Sequence, residues 1–185
     1  TRSAFAVQWM CSCASTATAS VTVTGTGAPT ITTPASATPN PVTGTTTRLS
    51  VRATDDAGEA GLEYRWNLTS GPASVTYSAN NSNAAKNSDV TFTEVGIYDF
   101  VVAVVDGAGN MANSAVTVTV QATPTRIDVQ PAVVVLRPAE TQTFTAAVYD
   151  QFDAQLSSAT VTWTVSGGGV IDASGEFTAG ATEGG

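Results

Sequence analysis

The stretch Leu62-Glu63-Tyr64-Arg65-Trp66-Asn67-Leu68 alternates apolar with polar side chains from end to end. Side chains two residues apart share a face of a β-strand, so this pattern predicts a strand with one apolar and one polar face. The same alternation recurs in short runs elsewhere, at 49–53, 98–104, 116–120, 144–148 and 161–165. Gly, Asn, Asp and Pro separate these runs, which is typical of an all-β protein.

Composition excludes several function classes. Only 12% of the 185 residues are charged, with 7 basic and 15 acidic side chains and a net charge of −8. Proteins that bind duplex nucleic acid need basic charge to displace phosphate counterions, so we exclude this class. The chain has no His, which excludes His-based catalysis and His-ligated zinc. No run of 18 apolar residues is present, so we expect no membrane span.

The predicted strands divide the chain into three blocks. Residues 1–27 form one terminal β-hairpin, which is marginal in water by itself. Residues 28–121 hold seven predicted strands around Trp66, as an immunoglobulin-like (Ig-like) β-sandwich requires, with the proline-rich segment 29–41 as a linker and broken first strand. Residues 122–185 form a second unit that lacks its last two strands. Its predicted strands include Thr125–Val129, Val133–Leu136, 144–148 and 161–165. The expected fold class is therefore all-β, with tandem Ig-like β-sandwiches.

Two cysteines lie in the terminal hairpin, whose strands are predicted near Ala4–Cys13 and Ala19–Thr24. Cys11 and Cys13 are two apart on one strand, so their side chains would lie about 6–7 Å apart. A disulfide needs Cβ atoms about 3.8 Å apart, so an internal bridge requires distortion. Two small buried thiols are the simpler interpretation, while a strained bridge or a bond to a partner thiol stays open.

Residues 28–121 resemble the PKD-like and cadherin-like Ig-fold repeats of bacterial surface proteins. The segments that carry this resemblance are Val51–Gly58, Leu62–Leu68, Gly96–Phe100 and Val104–Asn110. The resemblance implies an extracellular, non-catalytic module, usually one of many in tandem. It does not imply one particular ligand.

Residues 122–185 resemble a bacterial Ig-like group 2 domain. The segments that carry this resemblance are Ile127–Val129 with Pro131, Thr143–Asp150, Val161–Ser166 and Ile171–Gly180. Members of that family end in a further hairpin, and Ala19–Gly25 is similar to its last strand, so residues 1–27 resemble the end of such a domain. Two explanations stay open: a segment of a longer tandem array, or a subunit whose hairpin completes the next copy head to tail.

These features predict a non-catalytic structural or adhesive repeat protein, extracellular or at the cell surface, that acts as a spacer or a fibre-forming element. Its expected partners are neighbouring Ig-like domains or copies of itself. The alternative is an accessory carbohydrate-binding or spacer module of a secreted polysaccharide-degrading enzyme, with surface glycans as the partner. We expect no enzyme, because the acidic residues lie mostly in predicted turns with no apolar pocket around them.

Two predicted loops of the middle block carry oxygen-rich side chains. Asp55, Asp56 and Glu59 follow one strand, while Asp106 and Asn110 lie in a later turn. In an Ig-like sandwich these loops can lie at the same end, and carboxylate and carbonyl oxygens are the ligands that calcium prefers. The competing interpretation is that Asp and Gly are there because they suit turns. We keep a calcium site at these five residues as a prediction, and we expect no other cofactor.

Overall fold

The computed structural model describes the backbone of residues 6–10, 16–20 and 27–181 and the side chains of residues 27–181. Strands β1 (Ala6–Met10) and β2 (Thr16–Ser20) form an antiparallel hairpin in the first block. The second strand begins earlier in the sequence than alternation predicts. Cys11 and Cys13 lie outside the described residues, so their state stays a prediction.

Seven strands in the middle of the chain form two sheets that enclose one core. Their bounds are β3 (Thr30–Thr38), β4 (Thr46–Thr54), β5 (Glu63–Ser70), β6 (Thr76–Tyr77), β7 (Asn87–Thr91), β8 (Gly96–Val105) and β9 (Met111–Val120), and two short 3-10 helices span Glu59–Gly61 and Asn83–Lys86. The sheet orders are β3-β4-β7-β6 and β5-β8-β9, with antiparallel pairing throughout. Pro34 lies in the edge strand β3, where a missing N–H is tolerated. The predicted all-β, Ig-like fold is confirmed.

The core of this sandwich follows from the alternation in its strands. Leu49, Val51, Tyr64 and Trp66 are buried, as their phase predicts. The Trp66 indole N–H donates a hydrogen bond to the carbonyl of Ala85 at 2.8 Å, so the ring is buried without an unpaired donor. Among the described side chains, every buried hydrophobic residue belongs to this sandwich. Each large one stabilises it by about 1.5–3 kcal/mol.

Residues 122–181 form two smaller sheets. Their strands are β10 (Pro124–Gln130), β11 (Thr141–Thr143), β12 (Thr145–Asp150), β13 (Gly169–Ile171) and β14 (Glu176–Ala179). β10 pairs with β12, and β14 lies between β11 and β13. The strands predicted at 133–136 and 161–165 are wrong, because both segments lack regular structure. A strand needs a neighbour for its backbone hydrogen bonds, and neither segment pairs with one in the described chain.

The chain enters and leaves the middle sandwich at opposite ends. Thr30 pairs with Thr54 at the first end, which we call the N-terminal pole. Val42 bridges Val120 at the other end, the C-terminal pole. β4 runs nearly from one pole to the other over nine residues, which is about 26 Å at the rise of a strand. The chain segments on either side of the sandwich are therefore attached at opposite ends of it.

Candidate functional site

The first and last segments of the middle sandwich are hydrogen-bonded side by side near the C-terminal pole. The Val42 N–H donates to the Thr119 carbonyl at 2.8 Å, and the Gln121 N–H donates to the Val42 carbonyl at 2.9 Å. The Asn40 amide adds two bonds, donating to the Thr117 carbonyl at 2.9 Å and accepting from the Thr119 N–H at 3.0 Å. We call these five residues the terminal clamp.

The direction of the two segments determines how tension on the chain ends acts on the hydrogen bonds of the terminal clamp. They run parallel where Val42 bridges Val120, since β3 and β9 both lead from the N-terminal to the C-terminal pole. Tension on the chain ends pulls the two segments in opposite directions along their common axis. This loads the four hydrogen bonds together in shear, each worth about 0.5–1.5 kcal/mol net.

Sequence reasoning missed the terminal clamp. The proline-rich segment 29–41 predicts a linker, which leaves Asn40, between Pro39 and Pro41, without a role. The backbone groups that Asn40 bonds are 77 and 79 residues away in the sequence. No local pattern signals a contact at that separation. The only feature of the sequence that could have pointed to this contact is the single Asn within a Pro-rich segment.

A single side chain fastens the next unit to the C-terminal pole. The Gln151 amide donates to the carbonyls of Gln121 at 2.7 Å and Gly44 at 3.3 Å, and it accepts from the Thr123 N–H at 2.8 Å. The neighbouring Phe152 packs partly buried against the core of the sandwich. Residues 122–181 are therefore held to the middle sandwich by specific contacts as well as by the chain.

The two loops that carry the predicted calcium ligands lie together at the N-terminal pole. Glu63, just after the first loop, pairs with Val105, just before the second. Within the second loop, Asp106 accepts from the backbone N–H of Ala108 at 2.9 Å and of Asn110 at 2.8 Å. The Asn110 amide donates to the other Asp106 oxygen at 2.9 Å, and this bond holds the pKa of that carboxyl below its ordinary value. These two residues thus brace their own turn.

The acidic residues of the first loop have separate partners. Asp55 accepts from the Ala57 N–H at 2.9 Å, and Asp56 accepts from the Gly27 N–H at 3.3 Å. Among the described residues, no three or more Asp, Glu or Cys side chains are grouped so that they could hold a metal ion. Calcium binding stays a prediction, and a melting temperature that is the same in millimolar calcium and in EDTA would exclude it.

Glu59, the fifth predicted ligand, belongs to a polar cluster. Its carboxylate accepts from Lys86 Nζ at 3.0 Å, from Asn83 Nδ2 at 3.1 Å and from the Tyr64 hydroxyl at 3.3 Å. The lysine bond is the main cause that holds the pKa of Glu59 below its ordinary value. The cluster joins the loop after β4 to the 3-10 helix Asn83–Lys86, so the contacts of Glu59 stabilise the fold.

Most large aromatic side chains of the described chain are turned away from solvent. Tyr64, Trp66, Tyr98 and Phe100 are buried in the sandwich core. A sugar-binding platform needs exposed rings, so these four have no part in one. In the second unit, Arg126 covers one face of the Tyr149 ring, with its guanidinium carbon 3.9 Å from the ring centroid.

Comparison with known proteins assigns the middle of the chain. A family model described as K319L-like, PKD domain matches residues 38–120. The solution structure of the PKD domain from KIAA 1837 protein is similar at 28% identity, covering 49% of this chain and 87% of that chain with a TM-score of 0.37. No curated protein matches this chain.

No helix in the described part of the chain is long and apolar enough to cross a membrane. The resemblance of residues 122–185 to a group 2 domain stays a prediction. PKD domains are generally non-catalytic modules with an Ig-like fold. The family match and the seven-stranded sandwich together support a PKD-like domain at residues 38–120.

Proposed function

We propose that this chain is a non-catalytic structural element of an extracellular bacterial assembly, a spacer that transmits tension along its length. The observation that supports it most is the terminal clamp, which joins the incoming and outgoing segments in parallel. Because the chain enters and leaves at opposite poles, successive units extend the assembly rather than fold back. The PKD-like match supports a structural or adhesive module of this kind.

The junction supports the same function. Gln151 bonds both to the last residue of the terminal clamp, Gln121, and to Gly44 in the loop beside it. A force that arrives through residues 122–181 therefore passes directly into the terminal clamp. A flexible linker at this position would uncouple the orientation of the two units.

Single-molecule pulling from the two chain ends tests this function. We expect Asn40→Ala to lower the unfolding force of the sandwich, because it removes two of the four shear-loaded bonds. Ser36→Ala is the matched control, since Ser36 lies in strand β3 four residues before Asn40 and its side chain makes only a long 3.5 Å bond to Ser50 outside the terminal clamp. Equal unfolding forces for Asn40→Ala, Ser36→Ala and the unmodified chain would refute the load-bearing role.

The described surface of the PKD-like domain does not favour the carbohydrate-binding alternative. The large aromatic residues of the PKD-like domain named above are buried, and no feature of its described surface favours a glycan. Retention of the chain on insoluble polysaccharides would support carbohydrate binding.

A further inference from the structure

The turn that follows β12 in the second unit has a counterpart in the PKD-like domain, in the turn that follows β4. β12 ends where Asp150 pairs with Pro124, the first residue of β10. β4 ends where Thr54 pairs with Thr30, the first residue of β3. Each turn therefore lies beside the point at which the chain enters its unit.

The two turns share their hydrogen bonds. The side chains of Asp55 and Asp150 each accept from the backbone N–H two residues later, at 2.9 and 2.8 Å. Their backbone carbonyls each accept from the N–H three residues later, at 3.0 and 3.1 Å. The residue at that third position has a positive φ in both turns, 95° and 61°. Because the turns are built alike, Asp56 is the structural equivalent of Gln151.

Asp56 and Gln151 also hold equivalent parts of the chain. Gln151 accepts a hydrogen bond from the N–H of Thr123, directly before β10, at 2.8 Å. Asp56 accepts one from the N–H of Gly27, three residues before β3, at 3.3 Å. Each side chain therefore fastens the linker that leads into its own unit.

The same turn occurs elsewhere in the described chain without such a side chain. It starts at Asp106 and again at Asp172, with the same two kinds of hydrogen bond. The second residue of these turns is Gly107 or Ala173, neither of which has a polar side chain. The turn itself therefore requires no polar second residue, and of these four turns only the two beside a linker have one.

At the C-terminal pole the equivalent side chain reaches further, into the preceding unit. The Gln151 amide donates to the carbonyls of Gln121 and Gly44 and is half-buried. Asp56 is exposed, and its hydrogen bond within the described chain is the one to Gly27. A carboxylate accepts hydrogen bonds and donates none, so Asp56 fits a unit that presents N–H or hydroxyl donors, whereas Gln151 fits carbonyls.

We propose that the turn 55–58 at the N-terminal pole docks the preceding unit of this chain, the one that contains the β1–β2 hairpin, with Asp56 accepting hydrogen bonds from neutral donors of that unit. The sequence before Gly27 suits this role, because Arg2 is its only charged residue and ten of its 26 residues are Ser or Thr. The inference rests on the proposed spacer function, since it gives the spacer a fixed junction at both poles.

NMR relaxation of the full 185-residue chain tests this inference. If the preceding unit is docked, the amides of the β1–β2 hairpin have the same rotational correlation time as those of the PKD-like domain. On a flexible linker they would tumble faster. Asp56→Ala leaves the bonds of Asp55 within the turn in place, and it should release the hairpin into faster tumbling. It should also speed amide exchange at Gly27 about 2- to 10-fold, as the net strength of one hydrogen bond implies.

The matched control is Glu94→Ala, which removes the same charge from an exposed loop near the C-terminal pole and should change neither readout. Asp56→Asn tests the kind of donor. Its amide oxygen still accepts from an N–H or a hydroxyl, so the hairpin should stay docked, whereas an ion pair with Arg2 would be lost.

Three results would overturn the inference: faster tumbling of the hairpin in the unmodified chain, unchanged tumbling in Asp56→Ala, or the same release in Asp56→Asn as in Asp56→Ala. None of them touches the spacer function, because the pulling experiment with Asn40→Ala measures bonds inside the sandwich. Release in Asp56→Ala alone, with Asp56→Asn and Glu94→Ala unchanged, would support the docking surface and its neutral donors.

Discussion

Two tyrosines of the PKD-like domain, the buried Tyr98 and the half-buried Tyr77, are predicted to respond in opposite ways to the same change. The Tyr98 hydroxyl donates to the Glu94 carbonyl at 2.9 Å. The Tyr77 hydroxyl is buried and no hydrogen bond of regular geometry satisfies it, although the backbone of Leu68 lies close by; burial raises the pKa of Tyr77 to about 12. Substitution by Phe removes only the hydroxyl and leaves the ring contacts of Tyr98 with Phe92 and of Tyr77 with Phe100 in place.

The magnitudes depend on the partners. Tyr98→Phe loses one hydrogen bond whose acceptor belongs to an exposed residue that water can reach, so the free energy of unfolding falls by about 1 kcal/mol. Tyr77→Phe removes a desolvated hydroxyl that no hydrogen bond of regular geometry satisfies, so the free energy of unfolding rises by up to about 1 kcal/mol. For a domain of this size, 1 kcal/mol corresponds to about 4–8 °C in melting temperature.

Calorimetry of the full chain separates the two cases. The transition of the PKD-like domain should fall in temperature for Tyr98→Phe and rise or stay constant for Tyr77→Phe. Equal decreases in both variants would refute the reasoning, because they would show that the Tyr77 hydroxyl is satisfied in solution.

Three further substitutions test other contacts. Because the pKa of Glu59 is lowered on folding, the contribution of Glu59 to the free energy of unfolding is complete above its ordinary pKa of 4.5 and is lost as the pH falls through the folded value. Glu59→Gln should therefore flatten this part of the pH profile of the free energy of unfolding, measured in urea. At neutral pH it should cost less than about 1 kcal/mol, since the side chain is 39% exposed. Gly175 has φ +87°, and an added Cβ would lie 2.6 Å from the Phe144 carbonyl. Gly175→Ala should therefore destabilise its unit by about 1–3 kcal/mol, measured as faster amide exchange in β12. Gly107→Ala is the control and should have no such effect, because the space around Gly107 is open. Gln151→Ala should leave the melting temperature of the PKD-like domain unchanged while small-angle scattering shows a broader range of inter-unit orientations; an unchanged scattering profile would contradict its role at the junction.

The sequence predicts the PKD-like domain well because its strands are locally patterned. Leu49, Val51, Tyr64 and Trp66 occupy the inward phase of their strands, and a period of two is sufficient to place them. The position of the two acidic loops at one pole is a consequence of the strand order.

The other features of the structure depend on contacts between residues that are distant in sequence, which the local pattern does not show. Residues 161–165 have the alternation of a strand but no neighbour to pair with, so the pattern alone mispredicts them. Asn40 and Gln151 act through backbone groups distant in sequence. Glu59 looks like a metal ligand until the structure places Lys86 beside it, 27 residues away in sequence. Non-local contacts decide all of these.

Pulling the unmodified chain from its ends tests most directly the proposal that the terminal clamp makes the PKD-like domain a load-bearing link. We predict one abrupt event that releases Thr30 to Gln121 together. At about 3.4 Å per residue, less the roughly 26 Å already spanned, the chain should lengthen by about 290 Å. Gradual lengthening in small steps without a force peak would contradict the claim, because it would show strands peeling away one by one.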